Sequence, residues 1–228
     1  METNRNERDH MKTAMQKILR LMAGYFVYGL GIALTVNADL GLAPWGVFHQ
    51  GMAIQFGITM GVAIQIAGAA ILIIDLLLNE SIGWGTIGNV YFIGLFLDLI
   101  QASDVIPTYQ KVLPRLAMMV AGMVLISLAT FLYLGAQLGS GPRDGLMVAL
   151  TKKLKLPVGA IRSAIELTAL TAGYFMGGSV GWGTVIMSLG LGLFIQTTFS
   201  IFHFDVHRIQ HHTIDQDISG FIKKKSDQ

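Results

Sequence analysis

The stretch Ser179-Val180-Gly181-Trp182-Gly183-Thr184 nearly repeats Ser81-Ile82-Gly83-Trp84-Gly85-Thr86, and the two lie 98 positions apart. The same displacement carries Leu40-Gly41 and Pro44 onto Leu138-Gly139 and Pro142, and Gly61 onto Gly159. It also carries Gly94-Leu95-Phe96 onto Gly192-Leu193-Phe194, and Ala23-Gly24 onto Ala121-Gly122. With no gap, 18 of the 84 pairs between Lys17 and Ile100 are identical. Chance does not hold one register over that length, so the chain reads as a tandem duplication. The period is too long for a solenoid repeat of roughly 20–50 residues and fits the internal pseudo-symmetry of polytopic membrane proteins.

Composition sets the solvent. Of 228 residues, 53% are hydrophobic and 13% charged, where a soluble domain carries about 25% charged residues. Too little polar surface remains to coat a water-soluble globule, so the lipid bilayer is the expected surrounding. The expected fold is all-α: a polytopic membrane protein of two tandem four-helix repeats, the second helix of each repeat being short. The segments are a cytoplasmic N-terminal stretch (1–20), membrane repeat 1 (21–100), a linker (101–113), membrane repeat 2 (114–202) and a polar cytoplasmic tail (203–228). The net charge of +2 comes from basic residues at the chain ends and in loops, which argues against nucleic acid as a partner. With no cysteine, disulfide, zinc-thiolate and catalytic-thiol chemistry are excluded. The apolar run 21–38 follows basic residues as a signal peptide would, but it is longer than a signal core, and its counterpart, 116–136, lies inside the chain. It reads as a retained transmembrane helix.

Pro44 and Pro142 each suit the first position of a helix, giving short helices at 44–56 and 142–154. About 13 residues rise roughly 20 Å, too little to cross a 30 Å core alone, so both belong among other helices. Longer helices are expected at 61–78, 84–100, 114–137, 157–177 and 182–202. Two topologies compete. With Arg162 inside a helix, eight crossings make the copies parallel and divide the other Lys and Arg 14 against one; six crossings make them inverted and divide them 13 against two. Both place the termini together in the cytoplasm. The short helices are bounded by tight turns and, in the second copy, carry charge at their two ends rather than along one side. That pattern favours helices that run steeply through the protein, and hence eight crossings.

Chemistry is expected where the copies differ. Trp45-Gly46 becomes Arg143-Asp144, and Ile64 and Gly68 become Arg162 and Glu166. Charges at membrane depth cost several kcal/mol unless paired, and mark functional sites. If each short helix pairs with its successor as a hairpin, Glu166 faces Arg143 and also lies one turn from Arg162. Either the four charges form a lattice that fixes the hairpin, or the arginines, Gly139, Gly141 and the free N–H groups of the helix start bind an anionic group. Trp45, His49 and Gln50 on the first short helix are candidates to line the same space. Asp75 and Asp98 are candidate proton carriers near helix ends. The Gly-Trp-Gly-Thr turns read as structural: glycine frees the backbone and threonine caps the next helix. His203, His207 and His211 share a helical face that suits a divalent metal, but a solvated tail is the plainer account, so no metal or cofactor is assigned. No phosphate loop, nucleophile elbow or zinc-protease motif is present, and an enzyme is not expected.

Leu40-Gly41-Leu42-Ala43-Pro44-Trp45 with Phe48-His49 and Gly51, then Gly139-Ser140-Gly141-Pro142-Arg143-Asp144-Gly145-Leu146-Met147, then Arg162 and Glu166 at i,i+4, resemble the YczE/YyaS/YitT group of bacterial integral membrane proteins. The resemblance covers residues 17–200. It departs at Gly46, where an aspartate is the expected residue, so the two short helices are not equivalent charged sites. The resemblance implies a plasma-membrane protein of transporter-like character and supplies no substrate. The expectation is a small secondary transporter or channel-like carrier for an anionic or zwitterionic small molecule, bound at Arg143, Asp144, Arg162, Glu166, His49 and Trp45. The alternative is a membrane accessory or regulatory protein acting through a protein partner.

Overall fold

A computed structural model describes residues 2–205 and 213–216. Its helices are α1 (Glu2–Ala38), α2 (Pro44–Phe56), α3 (Met60–Leu77), α4 (Trp84–Ala102), α5 (Val112–Gly135), α6 (Pro142–Leu154), α7 (Val158–Phe175) and α8 (Trp182–Ile201); no strand occurs among the described residues. Boundaries recur at the displacement seen in the sequence: α2 and α6 have 13 residues each, α3 and α7 have 18 each, and α4 and α8 both begin on the tryptophan of Gly-Trp-Gly-Thr. Local chemistry sets these limits. Pro44 and Pro142 start their helices after extended Ala43 and Gly141, and the helices end in left-handed Gly57 and Lys155. Thr59 caps α3, its hydroxyl accepting from Val62 N at 3.2 Å. α1 runs unbroken through position 20, so the end of the polar N-terminal stretch is a change of composition and not of element.

By length and composition, α3, α4, α5, α8 and the part of α1 from Met11 onward can each cross a membrane. On α8, Val185, Leu189 and Leu193 form an i,i+4,i+8 stripe that is 60–74% exposed, as a lipid-facing surface is.

The centre of the bundle is the pair α1 and α5, and these corresponding helices run antiparallel. Arg20 Nη2 donates to Phe131 O at the end of α5, Gly24 packs on Tyr133, Gly31 on Gly122 and Ile126, and Arg115 at the start of α5 grips the end of α1 through Ala38 O and Asp39. α1 ends and α5 begins at one end of the bundle, so an even number of crossings separates them: α3 and α4 cross and α2 does not. This corrects the expectation of eight crossings with parallel copies. The middle of α1 and the end of α8 meet toward the other end, where Leu21, Tyr25, Tyr133, Phe199 and Phe204 share one apolar cluster.

The halves hold each other by exchange. Gly183 N donates to Leu40 O at 2.8 Å, and Gly85 N donates to Leu138 O at 2.7 Å, so each Gly-Trp-Gly-Thr turn clasps the Leu-Gly turn of the other half. Within each turn a threonine hydroxyl accepts from the first glycine: Thr86 from Gly83 N and Thr184 from Gly181 N. Gly41 (φ +100°) and Gly139 (φ +132°) need to be glycine twice over. Their backbone is left-handed, and a Cβ would lie 2.4–2.6 Å from the threonine hydroxyl opposite. α2 crosses over to α7, with Gly51 against the carbonyl of Gly173 and Gln50 Oε1 accepting from Ser179 N at 2.7 Å. Reciprocally, α6 rests on α3, where Lys152 pairs with Glu80.

One crossing breaks the correspondence. α3 and α4 touch backbone to backbone at Gly61 and Gly94, and Asp98 locks the contact by accepting from Gly61 N at 2.8 Å and Thr59 Oγ1. The equivalent glycines of α7 and α8, Gly159 and Gly192, have nothing within 4 Å of a built Cβ. The α7–α8 crossing stands open.

Candidate functional site

A cavity of about 530 Å³ lies between the halves, and all six predicted site residues line it: Trp45 and His49 from α2, Arg143 and Asp144 from α6, Arg162 and Glu166 from α7. The first turns of α2 and α6 both reach it, with Pro44 and Pro142 in its wall. Their unsatisfied N–H groups and dipoles add positive potential from two directions.

Arg143 lies deep within the fold and remains accessible through the cavity. Its Cζ is 4.4 Å from the centroid of the Trp45 ring, and its Nη2 is 3.5 Å from His49 Nε2, a ring that is itself buried. No carboxylate lies within ion-pairing distance of it among the described residues. The predicted pairing of Glu166 with Arg143 is therefore not made: Glu166 accepts from Arg162 Nε at 3.1 Å along one face of α7. The reason is topological. α6 divides its packing between α3 and α7 and does not form a simple hairpin with α7. Asp144 makes no ion pair with Arg143 either. At the third position of α6 its carboxylate lies beside the helix start, where a Cβ built on Gly141 would sit 3.3 Å from Oδ2. Arg162 is paired with Glu166, whereas Arg143 faces the cavity with Asp144 and Glu166 near enough to act on it through space but not in ion-pair contact.

Polar groups that the sequence did not single out complete the lining: Tyr28 on α1, Asn89 on α4, Tyr133 on α5, Ser140 before α6 and Ser188 on α8. A Cβ built on Gly141 would lie 3.3 Å from Asp144 Oδ2 and 3.6 Å from Tyr133 Oη, so the phenol and the carboxylate converge on the start of α6. Within an apolar run Tyr28 and Tyr133 look like ordinary packing, and only the antiparallel pairing of α1 and α5 brings their rings to 6.3 Å. Gln50, weighed with His49, ties α2 to the loop before α8. Asp98 is consumed by the α3–α4 contact. His203 ends α8 in a left-handed turn, while His207 and His211 lie outside the described residues.

An all-helical chain with several membrane-length apolar helices around an internal polar cavity is an integral membrane protein. Within that class this chain belongs to the Family of unknown function DUF6198, whose model matches residues 15–200. It is 33% identical over 190 residues to an uncharacterized protein of Haemophilus influenzae, covering 83% of this chain and 86% of that one. It is 34% identical over 178 residues to the uncharacterized membrane protein YczE of Bacillus subtilis, covering 76% of this chain and 81% of YczE. It is also 27% identical over 166 residues to the uncharacterized protein YyaS of the same organism, covering 72% and 82%. No solved structure matches it.

Proposed function

We propose that this protein is a small secondary transporter or channel-like carrier that takes an anionic or zwitterionic small molecule into the cavity at Arg143. The observation that carries this reading is the guanidinium itself. It is deep, accessible, stacked on Trp45 and without a carboxylate in ion-pair contact, beside two helix starts. A cation without a direct counterion at membrane depth is costly, and an anionic guest reduces that cost. The cavity is of a size suited to a metabolite. The halves fit an inverted-repeat carrier, in which one crossing is closed by a glycine pair while the equivalent crossing stands open; exchange between these states gives access from alternate sides. With Arg143 and Arg162 set aside at the cavity, Lys and Arg divide 12 with the termini against two, Lys111 and Arg115, at the opposite end, which supports a plasma-membrane protein with both termini cytoplasmic. Tandem duplication accounts for the matching helix limits.

Thermal unfolding of detergent-purified protein against phosphate, sulfate, a monocarboxylate and an amino acid tests the binding step. A ligand at about 100 times its Kd stabilises the folded state by about 2.7 kcal/mol. One of these raising Tm in wild type but not in Arg143→Ala supports the reading. Equal shifts in both place the anion elsewhere, and no shift from any of them favours the alternative role as an accessory protein.

A further inference from the structure

Asp75, near the end of α3, is 2% exposed, and its Oδ1 has no hydrogen-bond partner. It is the one buried side-chain nitrogen or oxygen so placed among the described residues. Its other oxygen points at α6, where a Cβ on Gly145 would lie 2.8 Å away. The charged groups around it are few. α3 carries no other ionisable residue. On α6, Lys152 is held by Glu80 at 2.5 Å, with Lys153 beside it in the last turn, and Arg143 and Asp144 lie at the cavity end. On α4, Asp98 is engaged at the opposite end of α3 and Tyr91 points outward, while on α2 His49 belongs to the cavity. Glu80 follows α3, and its own N–H closes on the Asp75 carbonyl. Oδ1 is thus buried without a donor or cation, an arrangement that disfavours a charged carboxylate in an apolar surrounding.

The other half shows what this carboxyl changes. The residue 98 positions on is Gly173, which meets α2 so closely that a Cβ would lie 2.4 Å from Phe48 N. There the short helix is locked backbone to backbone, whereas α6 rests on α3 through a carboxyl group. α6 presents Gly145 to Asp75 and Arg143, Asp144 and Met147 to the cavity. The group behind the helix and the cation in front of it therefore share one rigid thirteen-residue element.

We propose that Asp75 is a proton-binding site that couples proton movement to the cavity through α6. With the proton bound, α6 lies against α3 as seen. When the proton leaves Asp75 Oδ for water, the carboxylate recruits water or Lys152, α6 shifts, and Arg143 and Asp144 move with it. Only the carboxyl O–H bond breaks, its proton passing to water as hydronium, and no electron transfer is involved. This rests on the carrier reading in naming the coupling ion, but its test needs no transported anion.

Because the chain has no cysteine, a nitroxide pair introduced as Leu77→Cys on α3 and Val148→Cys on α6, both exposed, reports the α3–α6 distance in lipid nanodiscs by pulsed electron resonance. Infrared difference spectra follow the C=O stretch of a protonated, slowly exchanging carboxyl across pH. The expected result is a band lost as pH rises and absent from Asp75→Asn, with a distance distribution that shifts with pH in wild type and stays at the acid position in the variant. Asp75→Ser serves should the amide not fold, and the wild-type band stands independently of either. No such band, or an Asp75→Asn distance that moves with pH as wild type does, overturns the proposal. Proteoliposome uptake separates the two claims. Asp75 titration without transport of any anion leaves the proton site standing and removes the carrier. Arg143-dependent uptake indifferent to an imposed pH gradient, in wild type and Asp75→Asn alike, leaves the carrier and removes the coupling.

Discussion

Arg143 and Trp45 hold corresponding places in the two halves, 98 positions apart, and the guanidinium carbon of one lies 4.4 Å from the ring centroid of the other. The pair brings the first turns of α2 and α6 together at the cavity. The ring supports the cation without neutralising it, which leaves its charge available to a guest.

Trp45→Leu removes that support. A desolvated cation–π contact contributes about 1–2 kcal/mol, so anion affinity is expected to fall about five- to thirtyfold. Trp45→Phe retains part of it. Titration calorimetry with the anion that passes the thermal test gives both values.

The turn-to-turn clasps make Gly41 and Gly139 the least replaceable glycines of the chain. Gly139→Ala forces a side chain into a left-handed backbone and against Thr86, at an expected cost of about 1–3 kcal/mol. Gly192→Ala, with open space around it, is expected to leave Tm unchanged. Thermal unfolding of the two variants in the same detergent compares them directly.

If the α7–α8 crossing closes as α3–α4 does, Gly159→Cys and Gly192→Cys come into disulfide range in the native cysteine-free background. Oxidation is expected to cross-link the pair, and reduction to restore free thiols. Persistent labelling of both thiols by maleimide with no disulfide under any ligand condition contradicts closure.

Much of this was legible in the sequence, and the losses have physical causes. Pro44, Pro142, Trp84 and Trp182 marked four helix starts, because proline and glycine chemistry is local. The direction of α5 against α1 was not legible. Hydrophobic runs carry no polarity, and the two topologies divide Lys and Arg almost equally, 14 against one or 13 against two. The same gap misdirected Glu166: the six residues do share a cavity, but Arg143 meets Trp45 and His49 across the halves, a contact that no spacing within one half reveals. Tyr28 and Tyr133 were missed for the same reason.

Glu166→Gln removes the negative member of a part-exposed pair and leaves Arg162 unbalanced beside the cavity. Pairs this accessible to water contribute about 0–1 kcal/mol. The expected effect is therefore a modest gain, up to about fivefold, in anion affinity with little change in Tm. Arg162→Gln is expected to weaken binding to a similar degree, and competition binding resolves the signs.

An anion bound at Arg143 inside the membrane has to be carried across it, which uptake into proteoliposomes measures. Wild-type protein is predicted to accelerate entry of at least one of phosphate, sulfate, a monocarboxylate or an amino acid over protein-free vesicles. Arg143→Ala, equally folded and reconstituted, is predicted to lose about tenfold or more of that rate, the equivalent of about 1.4 kcal/mol. Uptake by the variant at the wild-type rate would contradict the account.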